Sequence, residues 1–332
     1  MPTPRILSGP EAVAAGVREL LAGGLVVFPT ETVYGLGANA MDADAVARVF
    51  SLKGRPPGNP LIVHVSGTPM ARRVVNGWTG DADRLADAFW PGPLTLVLPR
   101  HPDLPDAVTA GGPTVGVRCP DHPVALALIE ASGVPIVGPS ANPSGRVSPT
   151  TADHAAAGFG DTDLLIIDGG ACRAGIESTV LDLTGPHPRV LRPGVIGSNA
   201  IASVLGRAVA QDESDATDRP ADDGPTASPG LVGPHYQPRT PVRLIRVPDG
   251  RIGPSELLIT WSAMNHPNGG RALAIPADPS GYAAALYARL HEADAAGAAR
   301  IVVELPARPS DPALLGVHLA ILERLTRASA KA

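Results

Sequence analysis

Phe28-Pro29-Thr30-Glu31-Thr32-Val33-Tyr34-Gly35-Leu36-Gly37 places hydroxyls, a carboxylate and two glycines directly behind the short apolar run Leu25 to Phe28. That run follows the helix stop Gly23-Gly24 and reads as a strand. Polar residues at a strand's carboxyl end are the usual material of a ligand crevice in an α/β sheet. Taken alone, the stretch also fits a capped turn whose Thr and Glu satisfy backbone groups.

Upstream, Ser8 to Glu11 reads as a capping box with Pro10 in the first turn, opening a helix to about Ala22. Downstream, Asp42 caps a helix ending near Lys53, and a further helix is expected over Asp81 to Trp90. Leu61 to Val65, Leu94 to Leu98, Val115 to Arg118, Pro135 to Gly138, Leu164 to Asp168, Thr179 to Leu183 and Val190 to Leu191 read as strands, with a helix from His122 to Ser132. Strands interleave with helices but follow one another late in the domain, which predicts a mixed α/β sheet rather than a parallel one.

Composition changes after Ala210. Gln211 to Pro234 is rich in Asp, Ser, Pro, Gly and Thr and reads as a linker. Strands then recur at Val242 to Val247, Leu257 to Thr260, Ala272 to Ile275 and Ile301 to Glu304, with helices from Tyr282 to Ala296 and Pro312 to Ala328. The expected organisation is a domain over 1–210, a linker over 211–240 and a small α/β domain over 241–332. A length of 332 residues suits that division, and 44% apolar residues supply real cores. A net charge of −5 argues against coating nucleic acid through bulk charge. With Cys119 and Cys172 alone, no disulfide framework is expected and a reducing cytoplasm fits. Cys119 and His122 have C-x-x-H spacing, but no second ligand pair follows, so no metal site is assigned. The N-terminus lacks a signal-peptide core, and no apolar run suits a membrane helix.

Three further regions carry chemistry. Lys53-Gly-Arg55-Pro-Pro-Gly-Asn59-Pro60 is a stiff cationic loop, suited to phosphate oxygens, although loop cations are often simply solvated. Thr114-Val-Gly-Val-Arg118 ends an apolar strand on an Arg, which is rarely buried without an anionic partner. Gly138-Pro-Ser140-Ala-Asn142 again follows an apolar strand, with Ser144-Gly-Arg146 and Ser148 behind it; Glu177-Ser178-Thr-Val180 and Leu191-Arg192 come later. Convergence of Lys53, Arg55, Arg118, Arg146 and Arg192 in an acidic chain points to a small polyanion, a nucleoside triphosphate above all. No G-x-x-x-x-G-K-[ST] loop occurs, so a P-loop enzyme is excluded.

With these residues in view, the chain resembles the long form of the YrdC/TsaC family of threonylcarbamoyl-AMP synthases. Pro29 to Gly37, Lys53 to Pro56 with Asn59 to Leu61, Pro139 to Asn142 and Glu177 to Val180 occur in the family's order and spacing. The resemblance implies a twisted open mixed sheet flanked by helices, followed by a small Rossmann-like α/β C-terminal domain. It implies synthesis of threonylcarbamoyl-AMP and pyrophosphate from L-threonine, bicarbonate and ATP, with Mg²⁺ carried mainly by the phosphates. The product would pass to a threonylcarbamoyl transferase complex acting on tRNA. Thr32, His64, Arg118, Ser178 and the Gly138 backbone are expected at threonine. Arg55, Asn59, Thr114, Ser140, Ser148 and Arg192 are expected at ATP, with Lys53 at the triphosphate. Lys53, Arg55, Ser140 and Asn142 form the expected catalytic group. Ser228-Pro-Gly230 and His235-Tyr236-Gln-Pro238 resemble the family's linker pattern and make Tyr236 the candidate lid contact over the nucleotide, the other reading being that Tyr236 begins the second domain's core. The linker departs from the family at Leu231 to Pro234, and the C-terminal domain departs at Pro306 to Pro312.

Two rivals deserve comparison. Gly35-Leu-Gly-Ala-Asn-Ala40 formally matches a dinucleotide-binding fingerprint, but six residues separate it from the strand and position 55, where an acid belongs, is Arg. A non-catalytic relative binding nucleotides or double-stranded RNA on the same cationic face is the other.

Overall fold

The structure, a computed structural model, describes residues 3–211, 235–248, 251–262 and 269–330. Residues 212–234 of the expected linker therefore lie outside the described residues; Gln211 ends the Ala210–Gln211 strand, and residues 235–240 are described.

Among the described residues, one sheet runs in the spatial order Arg5–Ser8, Leu165–Asp168, Val26–Phe28, Gly35–Asn39, Ile136–Val137, Ile62–His64, Thr114–Arg118, Leu94–Pro99, Thr179–Asp182, Arg189–Arg192, Ala210–Gln211. Parallel and antiparallel pairings mix, as expected. Ile62–His64 is parallel to Thr114–Arg118, and Leu94–Pro99 to Thr179–Asp182, whereas Val26–Phe28 meets Gly35–Asn39 antiparallel. Aliphatic clusters form the core on its two faces, one including Val27, Leu36, Val63 and Val117, the other Val26, Phe28, Leu128 and Ile167.

Helix ends follow the sequence signals in most places. Asp42 caps Ala43–Lys53 by accepting from the backbone N–H groups of Asp44 and Ala45, and Gly54, at φ 58°, closes it in the left-handed region open to glycine. Thr79 caps Gly80–Phe89, one residue earlier than the pattern suggests. The expected capping box at Ser8 does not form. Ser8 is the last residue of an edge strand paired with Asp168, and its side chain makes no cap bond to the Gly9–Leu21 helix. Gly35–Asn39, read as crevice loop, is a strand. Added Cβ atoms on Gly35 and Gly37 would lie 3.1 and 3.0 Å from the Phe28 ring, so these glycines make room for an aromatic. They form no strand-to-helix turn, which removes the dinucleotide fingerprint.

A second sheet holds four parallel strands in the order Val242–Ile245, Arg300–Glu304, Glu256–Thr260, Arg271–Ala274. Helices Pro279–Ala295 and Leu315–Ser329 pack on it. Its apolar cluster takes in Val33, Val147 and Ile176 from the first sheet's side, so the two parts share buried surface. The strand expected to Val247 ends at Ile245.

Candidate active site

At the carboxyl ends of adjacent parallel strands, His64 and Arg118 stand side by side in register. Beside them the Thr30–Gly35 and Gly138–Asn142 segments are zipped together. Leu36 N–H donates to the Pro139 carbonyl at 2.7 Å and Ala141 N–H to that of Tyr34 at 2.8 Å, with a bridge between Gly35 and Ser140. The cleft so formed holds about 610 Å³ of space, part of it open to solvent, and is lined by Thr32, Arg55, His64, Arg118, Gly138, Ser140, Glu177, Ser178, Arg192, His235 and Tyr236 among others.

One end is built around Arg118. Its Nη1 donates to Thr32 Oγ1 at 3.0 Å, its Nε to the Gly92 carbonyl at 3.2 Å, and its Nη2 lies 2.5 Å from Glu31 Oε2. Thr32 is held in turn by Thr30, 2.8 Å away. His64 packs edge-on against Phe28, and burial first, Arg118 second, pushes its imidazole down to about 3. It is neutral at physiological pH and can act as a hydrogen-bonding group without adding charge. Gly138 is required there: an added Cβ would lie 2.7 Å from His64 Nδ1. Ser178 Oγ lies 2.8 Å from the buried Thr95 hydroxyl.

Elsewhere along the cleft, Arg55 and Arg192 supply cations. Arg55 is braced by its own loop, donating to the Asn59 carbonyl, the Asn59 amide oxygen and the Pro60 carbonyl at 2.7–3.0 Å. Burial lowers its guanidinium to about 10, which leaves it charged at neutral pH. Arg192 donates to Ser178 O and Oγ at 3.0–3.2 Å. Tyr236 has φ 62°, unusual for a bulky residue, and is buried between this cleft and the second sheet's core.

Five expected residues are not in the cleft lining. Lys53, the last helical residue, is buried and donates to the Ser140 and Asn142 carbonyls, both at 2.5 Å; burial first and Arg55 second lower its pKa. Asn59 braces Arg55. Asn142 uses its amide to hold the Pro143 and Arg146 carbonyls. Ser148 donates to Glu177 at 2.7 Å. Thr114 begins the strand that Arg118 ends and pairs with Pro99 on the antiparallel neighbour. Arg146, expected to join the cations, is exposed and pairs through its backbone with Gln237. Missing from the expectations were Glu177 and His235 as wall residues and Glu31 as the partner behind Arg118; Glu31 and Glu177 sit inside the quoted motifs, but their partners are distant in sequence. Cys119 and Cys172 are free and buried.

An open mixed sheet with a cationic cleft at its strand ends, joined to a small parallel α/β unit, defines the class, and family comparison agrees. The Sua5/YciO/YrdC model, described as telomere recombination, matches residues 18–194, and the model for the threonylcarbamoyl-AMP synthase C-terminal domain matches residues 196–330. The chain belongs to the Sua5/YciO/YrdC family, in its long form with the additional C-terminal domain. It is 45% identical over 245 residues to the threonylcarbamoyl-AMP synthase of Pyrococcus abyssi, covering 72% of this chain and 69% of that protein. Against the Bacillus subtilis threonylcarbamoyl-AMP synthase it is 46% identical over 230 residues, 69% of this chain and 65% of the relative. The crystal structure of P. abyssi Sua5 complexed with L-threonine superposes with a TM-score of 0.87 at 35% identity, covering 98% of this chain and 97% of that one.

Proposed function

We propose that this chain is an L-threonylcarbamoyladenylate synthase, converting L-threonine, bicarbonate and ATP to threonylcarbamoyl-AMP and pyrophosphate. The observation that carries the reading is one cleft in which Arg118, Thr32, neutral His64 and Ser178 stand with Arg55, Arg192, Ser140 and Tyr236. The L-threonine complex of a relative at 35% identity and a TM-score of 0.87 supports it.

Arg118 suits the threonine carboxylate through its guanidinium fork, with Thr32 and Ser178 offering hydroxyls and His64 a neutral ring nitrogen. Threonine's amine, once deprotonated, takes up the bicarbonate-derived carbon and water leaves. The resulting carbamate oxygen attacks the α-phosphorus of ATP, and pyrophosphate departs. Nucleophile, triphosphate and carboxylate all carry negative charge and repel one another in water. Arg55, braced by its own loop, Arg118, held by Thr32, Glu31 and the Gly92 carbonyl, and Arg192, held by Ser178, neutralise and align them. Lys53 holds the Ser140 and Asn142 carbonyls, and Asn59 holds Arg55, so the expected phosphate loop is built from within. Thr114 and Ser148 complete the nucleotide side in this reading. The 211–240 segment serves as a lid whose Tyr236 covers the nucleotide and excludes water.

Among the described residues no three His, Cys, Asp or Glu side chains cluster to hold a metal. Mg²⁺ enters as part of the Mg·ATP substrate, on phosphate oxygens and water. No described helix is long and apolar enough to cross a membrane. The proposed setting is the cytoplasm, with the adenylate consumed by a threonylcarbamoyl transferase complex that modifies tRNA.

The test is pyrophosphate release from Mg·ATP with bicarbonate, with and without L-threonine. Strict threonine dependence is expected. Equal release in both arms would refute the reading and favour a nucleotide-binding relative without this activity.

A further inference from the structure

Glu177 is a carboxylate in the wall of a cleft read as a triphosphate site, where a free negative charge would oppose binding. It is not free. Oε1 accepts from Ser148 Oγ at 2.7 Å, while Oε2 accepts from Tyr287 Oη at 2.9 Å and Arg324 Nε at 3.2 Å. Tyr287 and Arg324 come from two different helices of the C-terminal domain, Pro279–Ala295 and Leu315–Ser329. Burial alone would raise the Glu177 pKa. Arg324, then Arg192 and the Ser148 hydroxyl, outweigh that and hold the carboxyl below its ordinary value, so it is an anion whose charge is met locally.

Arg324 also grips the lid residue. It has no solvent exposure, and its Nη1 donates to the Pro193 carbonyl at 2.6 Å and to Glu323 at 2.8 Å. Its guanidinium carbon sits 5.7 Å from the centre of the Tyr236 ring, and Tyr236 in turn stacks on Tyr287 at 5.6 Å and 24°. The domain contact is too close for rearrangement by side chains: an added Cβ on Gly175 would lie 2.5 Å from the Ala283 carbonyl oxygen, and one on Gly316 would overlap Gly197.

We propose that Arg324 is a positioning residue for the synthase reaction, neutralising Glu177 and clamping Tyr236 so that the C-terminal domain completes the nucleotide side of the cleft. The inference rests on the synthase reading above. A buried ion pair adds little net stability, but deleting one partner strands the other's charge, and deleting both removes the conflict. Arg324→Met should therefore leave Glu177 opposed to the phosphates, and Glu177→Gln in the same chain should relieve it.

The experiment measures calorimetric binding of α,β-methylene-ATP with Mg²⁺, and separately of L-threonine, to the full chain at a temperature where melting curves show every variant folded. Arg324→Met is expected to weaken the nucleotide analogue by about tenfold or more, with threonine affected far less. The double variant Glu177→Gln/Arg324→Met should return to within about threefold of the parent. Analogue binding unchanged in Arg324→Met, or a double variant as weak as the single one, would overturn the proposal and reduce Arg324 to packing. Should Arg324→Met fail to fold, Tyr287→Phe replaces it. Loss of that one hydroxyl should weaken the analogue by about threefold to tenfold, and unchanged binding would overturn the proposal. A parent chain that binds the analogue but releases no pyrophosphate refutes the synthase reading while the Arg324 comparison still stands or falls on binding.

Discussion

Arg118 and Glu31 form a buried ion pair in the structure, with Nη2 2.5 Å from Oε2 and both side chains 4% exposed. Glu31 holds one edge of the guanidinium, and Thr32 and the Gly92 carbonyl fix its orientation. Lys could copy the charge but not this fork. Arg118→Lys is therefore expected to weaken threonine use by about 1.5–3 kcal/mol, the range for hydrogen bonds to charged groups. ATP analogue binding should change far less. Titration of both ligands against the variant checks this, and normal threonine dependence would take Arg118 out of the site.

Gly138→Ala tests the seat of His64. The new methyl would lie 2.7 Å from Nδ1 and 3.0 Å from the Phe28 ring, with no exposed flexible tip to yield. A stability loss of about 1–3 kcal/mol is expected, as for overpacking, together with weaker threonine binding. Chemical denaturation and threonine titration check the two effects.

The histidines predict acid sensitivity. His64 is held near 3 against an ordinary value of 6.5, chiefly by burial, and His154 and His235 are lowered to about 4 for the same leading reason. Below about pH 6.5 the unfolded chain binds protons that the folded chain refuses. Stability is thus fully present above that value and is lost as pH falls towards the folded values. Melting temperature should drop between about pH 7 and about pH 5, and His64→Gln should shallow that dependence. An unchanged slope would show that His64 titrates normally.

Lys53→Met probes the loop that presents Ser140. Its ammonium bonds two carbonyls in the interior. Leaving them unpaired should cost about 1–3 kcal/mol for each buried group, and synthesis should fall with it. Parallel denaturation and activity measurements check the link, and full activity in a destabilised variant would confine Lys53 to folding.

Local signals made much of this legible. Asp42 and Gly54 bracket the helix that delivers Lys53 and Arg55, and the apolar runs ending at His64 and Arg118 are strands as their composition implies. Hidden features depend on which segments the fold pairs. Two glycines in five residues argue against a strand at Gly35–Asn39, and the Phe28 ring on the paired strand, with Ile136 beside Gly37, explains them. Ser8 looked like a cap because its pairing with Asp168 is long-range. Arg324 meets Glu177 across 147 positions, and no periodicity announces such a contact.

The most direct test of the central claim follows carbon rather than phosphate. The chain, Mg·ATP and ¹⁴C-bicarbonate are incubated with and without L-threonine, and nucleotides are separated under neutral conditions. Label is expected in an acid-labile AMP adduct only when threonine is present, with pyrophosphate formed in equal amount. Pyrophosphate without labelled adduct, or no dependence on threonine, would contradict it.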